Sequence, residues 1–153
     1  DISDFNQQRL NEIVLWKVNR YANFDNKVIE LLNQINIKSD KLNLLKTEEV
    51  LKCLLNIKGV GLAMASSILR FKNPSIYQII DQRVFRIIYK KRELKLSNYK
   101  SKKNVDRQIK LYLQYLKDLR KVCIDLNIDF KKSDRILFMA DRRLNKKHKL
   151  MNY

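Results

Sequence analysis

The chain has 153 residues, of which 45% are hydrophobic, and its 33 lysines and arginines against 16 aspartates and glutamates give a formal net charge of +17. The apolar fraction excludes a disordered chain, and the length suits one domain with a buried core. No apolar run reaches the roughly 20 residues of a membrane span, and no secretory signal pattern opens the sequence. The excess positive charge indicates a polyanionic partner, with nucleic acid favoured over an anionic membrane surface.

Amphipathic helices are predicted over most of the chain. One proline and two glycines allow few hairpin turns, and no stretch alternates apolar and polar residues as a half-buried strand does. We therefore expect an all-α fold, a compact helical bundle formed by a single domain over residues 1–153. The first two helices are expected at 4–21 and 26–35, where apolar residues recur at helical spacing: Leu10, Ile13, Val14 and Val18, then Val28, Leu31, Leu32 and Ile35.

The central part, residues 47–91, contains both glycines and is the expected hairpin core. After a connector or short helix at 39–46, Thr47 is the predicted N-cap of a helix, with Glu48 and Glu49 in its first turn. The helix after the glycines should end at Asn73, because the residue before a proline avoids helical dihedrals. A further helix is expected to start at Ser75.

The second half of the chain is strongly basic. Residues 90–103 are poor in apolar side chains and are predicted to form an exposed loop. Basic C-terminal helices are expected over 104–147: a long one at 104–127 and a last one capped by Ser133. The apolar face of the long helix is Val105, Ile109, Tyr112, Leu116, Leu119 and Cys123. Most charge runs are solvated faces, but the uniform sign here favours a surface that follows phosphates.

Both glycines lie in one short stretch, Gly59-Val60-Gly61. One interpretation is an ordinary helix corner with a glycine C-cap. The other is a tight turn whose bare backbone lets the N–H groups of the next helix meet a phosphate. Two glycines around one β-branched residue, in a chain of charge +17, favour phosphate binding. The expected DNA-binding residues of the turn are Lys58, Gly59, Val60 and Gly61.

The stretch IKGVGLAMASSILRFKNPSIYQIIDQRV, residues 57–84, resembles the core of the helix–hairpin–helix (HhH-GPD) DNA glycosylase superfamily. Gly59-Val60-Gly61 matches the hairpin of that family and Ile79-Ile80-Asp81 matches its aspartate segment, while Lys58 replaces the usual proline. The resemblance implies a helix–hairpin–helix motif, a double-stranded DNA partner and a base-excision repair enzyme. Such an enzyme hydrolyses the N-glycosidic bond of a flipped damaged or mismatched base. A non-catalytic helix–hairpin–helix DNA-binding module is the alternative.

The resemblance assigns catalysis to Asp81. In the family this aspartate stabilises the positive charge that develops on the sugar as the base leaves, and it positions or deprotonates the attacking water. The plainer interpretation is that Asp81 caps a helix starting at Gln82. Bifunctional members carry a lysine where this chain has Ala63, and alanine forms no Schiff base. The resemblance therefore implies a monofunctional glycosylase.

Other side chains near this core are weaker candidates. Arg83 and Arg86 either hold phosphates beside the flipped nucleotide or are exposed helix charges. The candidates for a base pocket are Trp16 and Tyr21, for which core packing is the competing role, and Tyr77, which precedes Asp81 by four residues. The resemblance also implies a possible monovalent cation, held by main-chain carbonyls at three positions: Leu55, Ile57 and Val60.

Cys53 and Cys123 are the only cysteines. We expect both to be core thiols of an intracellular protein in a reducing compartment, the cytoplasm, nucleoid or nucleus. A zinc or iron–sulfur site needs more ligands than these two and the single His148. No cofactor, and in particular no iron–sulfur cluster, is therefore expected, and the protein is taken to be a monomer.

Overall fold

The computed structural model describes residues 4–18, 22–90, 92–97, 99–147 and 150, with the side chains of 16–18 excepted. This part is all-helical, as expected, and contains no β-strand. The helices are α1 (Gln7–Val18), α2 (Asn26–Asn33), α3 (Leu44–Asn56), α4 (Leu62–Lys72), α5 (Gln82–Ile88), α6 (Lys102–Asp125) and α7 (Ser133–Leu144), with a short 3-10 helix at Phe130–Lys132. None of the helices described here is long and apolar enough to cross a membrane.

The predicted apolar stripes form the core. Every apolar residue predicted to face inward on α2 and α6 is buried, as are Leu10, Ile13 and Val14 on α1. The side chain of Val18 lies outside the described residues. Helical periodicity therefore identified the buried faces correctly, and the expected end of α4 at Asn73 is also confirmed.

The predicted start of α3 at Thr47 is wrong. Asn43 is the N-cap, and its side-chain oxygen accepts a hydrogen bond from the amide of Lys46 at 3.0 Å. Thr47 lies inside the helix, fully buried, and its hydroxyl donates to the carbonyl of Asn43 at 2.6 Å. No acidic residue lies in the first turn of α3. Asparagine caps a helix at least as well as threonine does, so α3 begins directly after Asn43, the earlier of the two capping residues.

No helix begins at Ser75, which corrects a second expectation. Residues 77–81 are not helical, and the carbonyls of Gln78 and Ile79 are hydrogen-bonded by side chains of α6. The hydroxyl of Tyr112 donates to Gln78 at 2.9 Å, and that of Tyr115 donates to Ile79 at 2.7 Å. Because these carbonyls have partners outside the segment, the chain stays extended up to the start of α5.

The basic half differs from its prediction at three points. The helix α6 starts at Lys102 instead of 104. In the described part of the 90–103 segment Leu94 is buried, so that segment is not wholly exposed. Ser133 is the first residue of α7, not its cap, because a 3-10 helix leads directly into α7 and the Ser133 hydroxyl donates back to Phe130 at 2.8 Å.

Candidate functional site

The turn between α3 and α4, residues 57–61, contains both glycines, and each has its own structural reason. Gly59 has φ +86°, in the left-handed region, although a Cβ there would meet no atom within 4 Å. The backbone dihedral, not lack of space, requires this glycine. Gly61 has φ −99° and ψ 176°, which any residue adopts. The expectation that the turn needs backbone dihedrals available only to glycine is therefore confirmed at Gly59 and not at Gly61.

Gly61 is the N-cap of α4, and it has no side chain that could accept a hydrogen bond from the first-turn amides. By contrast α2, α3, α5 and α6 each follow an Asp, Asn or Ser whose side chain accepts a hydrogen bond from a first-turn amide. The first backbone bond of α4 runs from Ala65 to the Gly61 carbonyl at 2.9 Å, so the amides of 62–64 precede the helical ladder. These amides carry the positive end of the helix dipole.

The turn is anchored in the core on one side and open on the other. Val60 is buried, with 1% of its surface exposed, whereas Lys58 and Gly59 are exposed. The exposed part of the turn before α4 therefore consists of the cationic Lys58 and the bare backbone of Gly59. This arrangement suits a phosphate chemically.

Lys100 lies against this turn, although it is remote from it in sequence. Its ammonium donates to the carbonyl of Val60 at 2.6 Å and also to the carbonyl of Leu55. The third carbonyl, that of Ile57, accepts from the Val60 amide at 3.1 Å. Two of the three carbonyls expected to hold a monovalent cation are thus bonded to a charge of the chain itself. Burial lowers the pKa of Lys100.

A basic surface continues from Lys100 along α6. An open groove of about 690 Å³ is lined by Lys102, Lys103, Asp106, Arg107 and Lys110. The first turn of α6 contains no acidic residue, so its lysines lie at the positive end of that helix. Cations are unfavourable at this end of a helix. Their electrostatic cost is offset where an anion binds between them, so the groove suits negatively charged groups chemically.

Asp81 is the N-cap of α5, so the capping role expected of this residue is confirmed. Its Oδ1 accepts a hydrogen bond from the Arg83 amide at 2.8 Å. The residue before it is tied to α4: the Ile80 amide donates to Ser66 Oγ at 3.1 Å, and Ser66 donates to the Ala63 carbonyl at 2.9 Å. Asp81 is therefore held in a fixed relation to the first turn of α4, and its side chain is half-buried.

The two arginines after Asp81, Arg83 and Arg86, both form ion pairs with the buried carboxylate of Asp141. Arg86 donates to Asp141 from two nitrogens, at 2.8 and 2.6 Å, and Arg83 donates at 3.1 Å. Asp141 is fully buried, and only 8% of the Arg86 side chain is exposed. The expectation that Arg86 holds a phosphate or is an exposed charge is therefore wrong, because its guanidinium links α5 to α7. Arg83 keeps 30% of its side chain exposed.

The same carboxylate has a perturbed pKa. Burial raises the pKa of Asp141, but hydrogen bonds from Arg86, Asn145 and Arg83 and the charge of Arg86 outweigh burial, so the pKa lies below its usual value. Asp141 is thus ionised in the folded protein under neutral conditions, and it neutralises part of the arginine charge next to Asp81.

Of the three residues expected to line a base pocket, the structure describes the side chain of one, Tyr77. Tyr77 is buried, and its hydroxyl lies 2.8 Å from Thr47 Oγ1, so this residue belongs to the core and is withdrawn as a pocket candidate. The Trp16 side chain and Tyr21 lie outside the described residues. Neither of two open grooves on α6 includes Asp81.

Both cysteines are free thiols in the structure, Cys123 buried and Cys53 half-buried. Burial raises the pKa of each thiol, as expected of packing residues. Within the described residues no group of three or more His, Cys, Asp or Glu side chains could hold a metal ion. His148 is not among those residues.

Comparison with known proteins adds no assignment. No protein-family model, curated protein or solved structure matches this chain. The resemblance to the DNA glycosylase core therefore depends on residues 57–84 alone.

Proposed function

We propose that the protein binds double-stranded DNA through the turn at 57–61 and acts as a monofunctional DNA N-glycosylase, with Asp81 as the catalytic residue. One observation supports the proposed DNA binding. Gly61 provides no side-chain acceptor at the positive end of α4, and the turn that contains it also contains the exposed Lys58 and is contacted by the ammonium of Lys100. A DNA phosphate supplies the missing acceptor. The groove that begins at Lys102 extends the contact along the backbone.

The catalytic half concerns Asp81. With the base flipped out of the duplex, the bond between C1′ and the base nitrogen breaks, its electron pair leaves with the base, which takes up a proton from solvent, and positive charge develops on the sugar. The Asp81 carboxylate stabilises that charge and accepts a proton from water as the water oxygen bonds to C1′. Its Oδ1 caps α5, which fixes the orientation of the group and leaves the second oxygen for the reaction. Ala63 forms no Schiff base, so the product is an abasic site in an intact strand.

A second candidate is a DNA-binding module without catalysis. One observation favours it: the cap on α5 by itself accounts for an aspartate at position 81. In that case the turn and the α6 groove bind the duplex, and no base is released.

Base release separates these two candidates. The protein is incubated with duplexes that carry a single uracil, 8-oxoguanine, alkylated purine or mismatch, and alkali then reveals abasic sites. Asp81→Asn is the test variant, because asparagine caps a helix as well as aspartate does. Asp25→Asn, at the cap of α2, is the matched control.

The outcomes are distinct. Release on one of the duplexes that is lost in Asp81→Asn and kept in Asp25→Asn, with no strand break before alkali, supports the glycosylase. Tight binding without release on any duplex supports the module. Absence of duplex binding at low salt contradicts both.

A further inference from the structure

The contact between Lys100 and the turn joins two distant parts of the chain. The carbonyls of Leu55 and Val60 are contributed by the end of α3 and by the residue before Gly61. The ammonium that both carbonyls bind comes from the residue before Ser101, the N-cap of α6. Lys100 thus fastens the turn to the start of the basic groove.

The electrostatics of the turn explain what a cation does there. The carboxyl end of a helix carries a partial negative charge on its unpaired carbonyls. α3 ends in the turn at which α4 presents its positive end. A phosphate bound to the α4 amides would therefore be repelled by the α3 carbonyls unless a positive charge lay between them. The Lys100 ammonium is bonded to one carbonyl of the last turn of α3, that of Leu55, and to the carbonyl of Val60 in the turn.

We propose that Lys100 is a built-in cation, which occupies the place between the Leu55 and Val60 carbonyls that a bound monovalent metal ion would otherwise take. Carbonyl oxygens are ligands for such hard cations, and a lysine ammonium offers three donors without needing uptake from solvent. The turn is then fixed, and ready for a phosphate, whatever metal ions the solution contains. The part that concerns phosphate rests on the function proposed above.

The free protein provides the first test, which does not involve DNA. The melting temperature Tm is measured in KCl, NaCl and tetramethylammonium chloride at one ionic strength. We expect the wild-type Tm to be the same in all three. Lys100→Met should lose about 5 °C in tetramethylammonium chloride and regain part of it in KCl or NaCl, because a small cation fits between the carbonyls and a large one does not. Lys95→Met, an exposed lysine of the same segment, is the control and should not change.

Three results would overturn the proposal: a wild-type Tm that rises in KCl or NaCl, a Lys100→Met variant with wild-type Tm, or an equal loss in all three salts. Should Lys100→Met fail to fold, Lys100→Gln removes the charge while its amide still donates to a carbonyl. The same salt-selective recovery is expected of it, and an equal loss in every salt would again overturn the proposal.

Duplex affinity, measured in the same three salts, connects the cation to phosphate binding. The wild type should bind equally in all three, and Lys100→Met should bind about tenfold more weakly in tetramethylammonium chloride, with part of the loss recovered in KCl. If the wild type binds no duplex in any salt, the proposed function fails while the Tm result stands. If Lys100→Met binds like the wild type throughout, the role of Lys100 in phosphate binding is contradicted.

Discussion

The amide of Ile80 donates a hydrogen bond to the hydroxyl of Ser66 at 3.1 Å, and this bond joins the segment before Asp81 to the N-terminal half of α4. Both residues are fully buried. The turn proposed to bind phosphate and the carboxylate proposed to act on the sugar therefore belong to one rigid arrangement. The hydroxyl of Ser66 supplies the polar link between them.

Ser66→Ala removes this link. The Ile80 amide then stays buried without its acceptor, which should lower the free energy of unfolding by about 1–3 kcal/mol. Ser67→Ala is the control, since the hydroxyl of Ser67 donates only to the Ala63 carbonyl at 2.9 Å and holds no residue outside α4. Urea unfolding should show a larger loss for Ser66→Ala. Equal losses in the two variants would contradict the positioning role of Ser66.

Asp141→Asn should strongly destabilise the fold. Two arginines share this fully buried carboxylate, and removal of its charge takes away the anion to which the buried Arg86 donates from two nitrogens. Breaking a buried ion pair costs about 3–5 kcal/mol. Chemical unfolding at neutral pH measures the loss, and Asp125→Asn, at an exposed carboxylate near the end of α6, should change stability little. A loss below about 1 kcal/mol would contradict this account of the pair.

The same residue sets part of the acid sensitivity. The pKa of Asp141 is lower in the folded protein than in the unfolded chain, so its contribution to stability is present above the unfolded value of about 3.9 and is lost as the pH falls through the folded value. The free energy of unfolding should thus decline more steeply on acidification below pH ~4 for the wild type than for Asp141→Asn. Parallel curves would show that other carboxylates dominate.

Gly59→Ala should cost stability through the backbone. The position has φ +86° and open space around a Cβ, so strain of the left-handed conformation is the whole effect, about 1–2 kcal/mol. Gly59→Asn should lose less, because asparagine tolerates this conformation. Thermal unfolding ranks the two variants. A ranking with asparagine below alanine would indicate a clash instead of strain.

Lys103→Gln should weaken duplex binding and make it less sensitive to salt. Each phosphate contact contributes about 0.9 to the slope of log affinity against log salt. Lys121→Gln carries the same charge change 18 residues further along α6 and should keep the wild-type slope. The variant Lys103→Gln should not lose stability, since it removes a cation from the positive end of a helix. Identical slopes for the two variants would contradict a phosphate track at the start of α6.

Some of this structure follows directly from the sequence. The buried stripes of α1, α2 and α6 follow from helical periodicity, and the end of α4 follows from Pro74. The cap at Asp81 is a local signal too, because it needs only the residue and the helix behind it. Such features depend on residues that are close together in the sequence, and for this reason they can be predicted from it.

What the sequence left open depends on contacts between distant residues. Residues 77–81 stay extended because Tyr112 and Tyr115 bond the carbonyls of Gln78 and Ile79, and no pattern within the segment signals that. Arg86 finds its partner in Asp141, 55 residues later. Lys100 belongs to a run of basic residues in a loop, and nothing in that run marks the one lysine that reaches the turn.

The most direct measurement of the central claim replaces Gly61 with aspartate. The backbone at this position, φ −99° and ψ 176°, suits an aspartate N-cap, which would occupy the free α4 amides and place a negative charge where the phosphate is proposed to bind. We expect Tm to stay the same or rise by about 1 °C, and duplex affinity to fall by about tenfold or more at low salt. Duplex affinity equal to that of the wild type, in a variant of undiminished stability, would contradict phosphate binding at this turn.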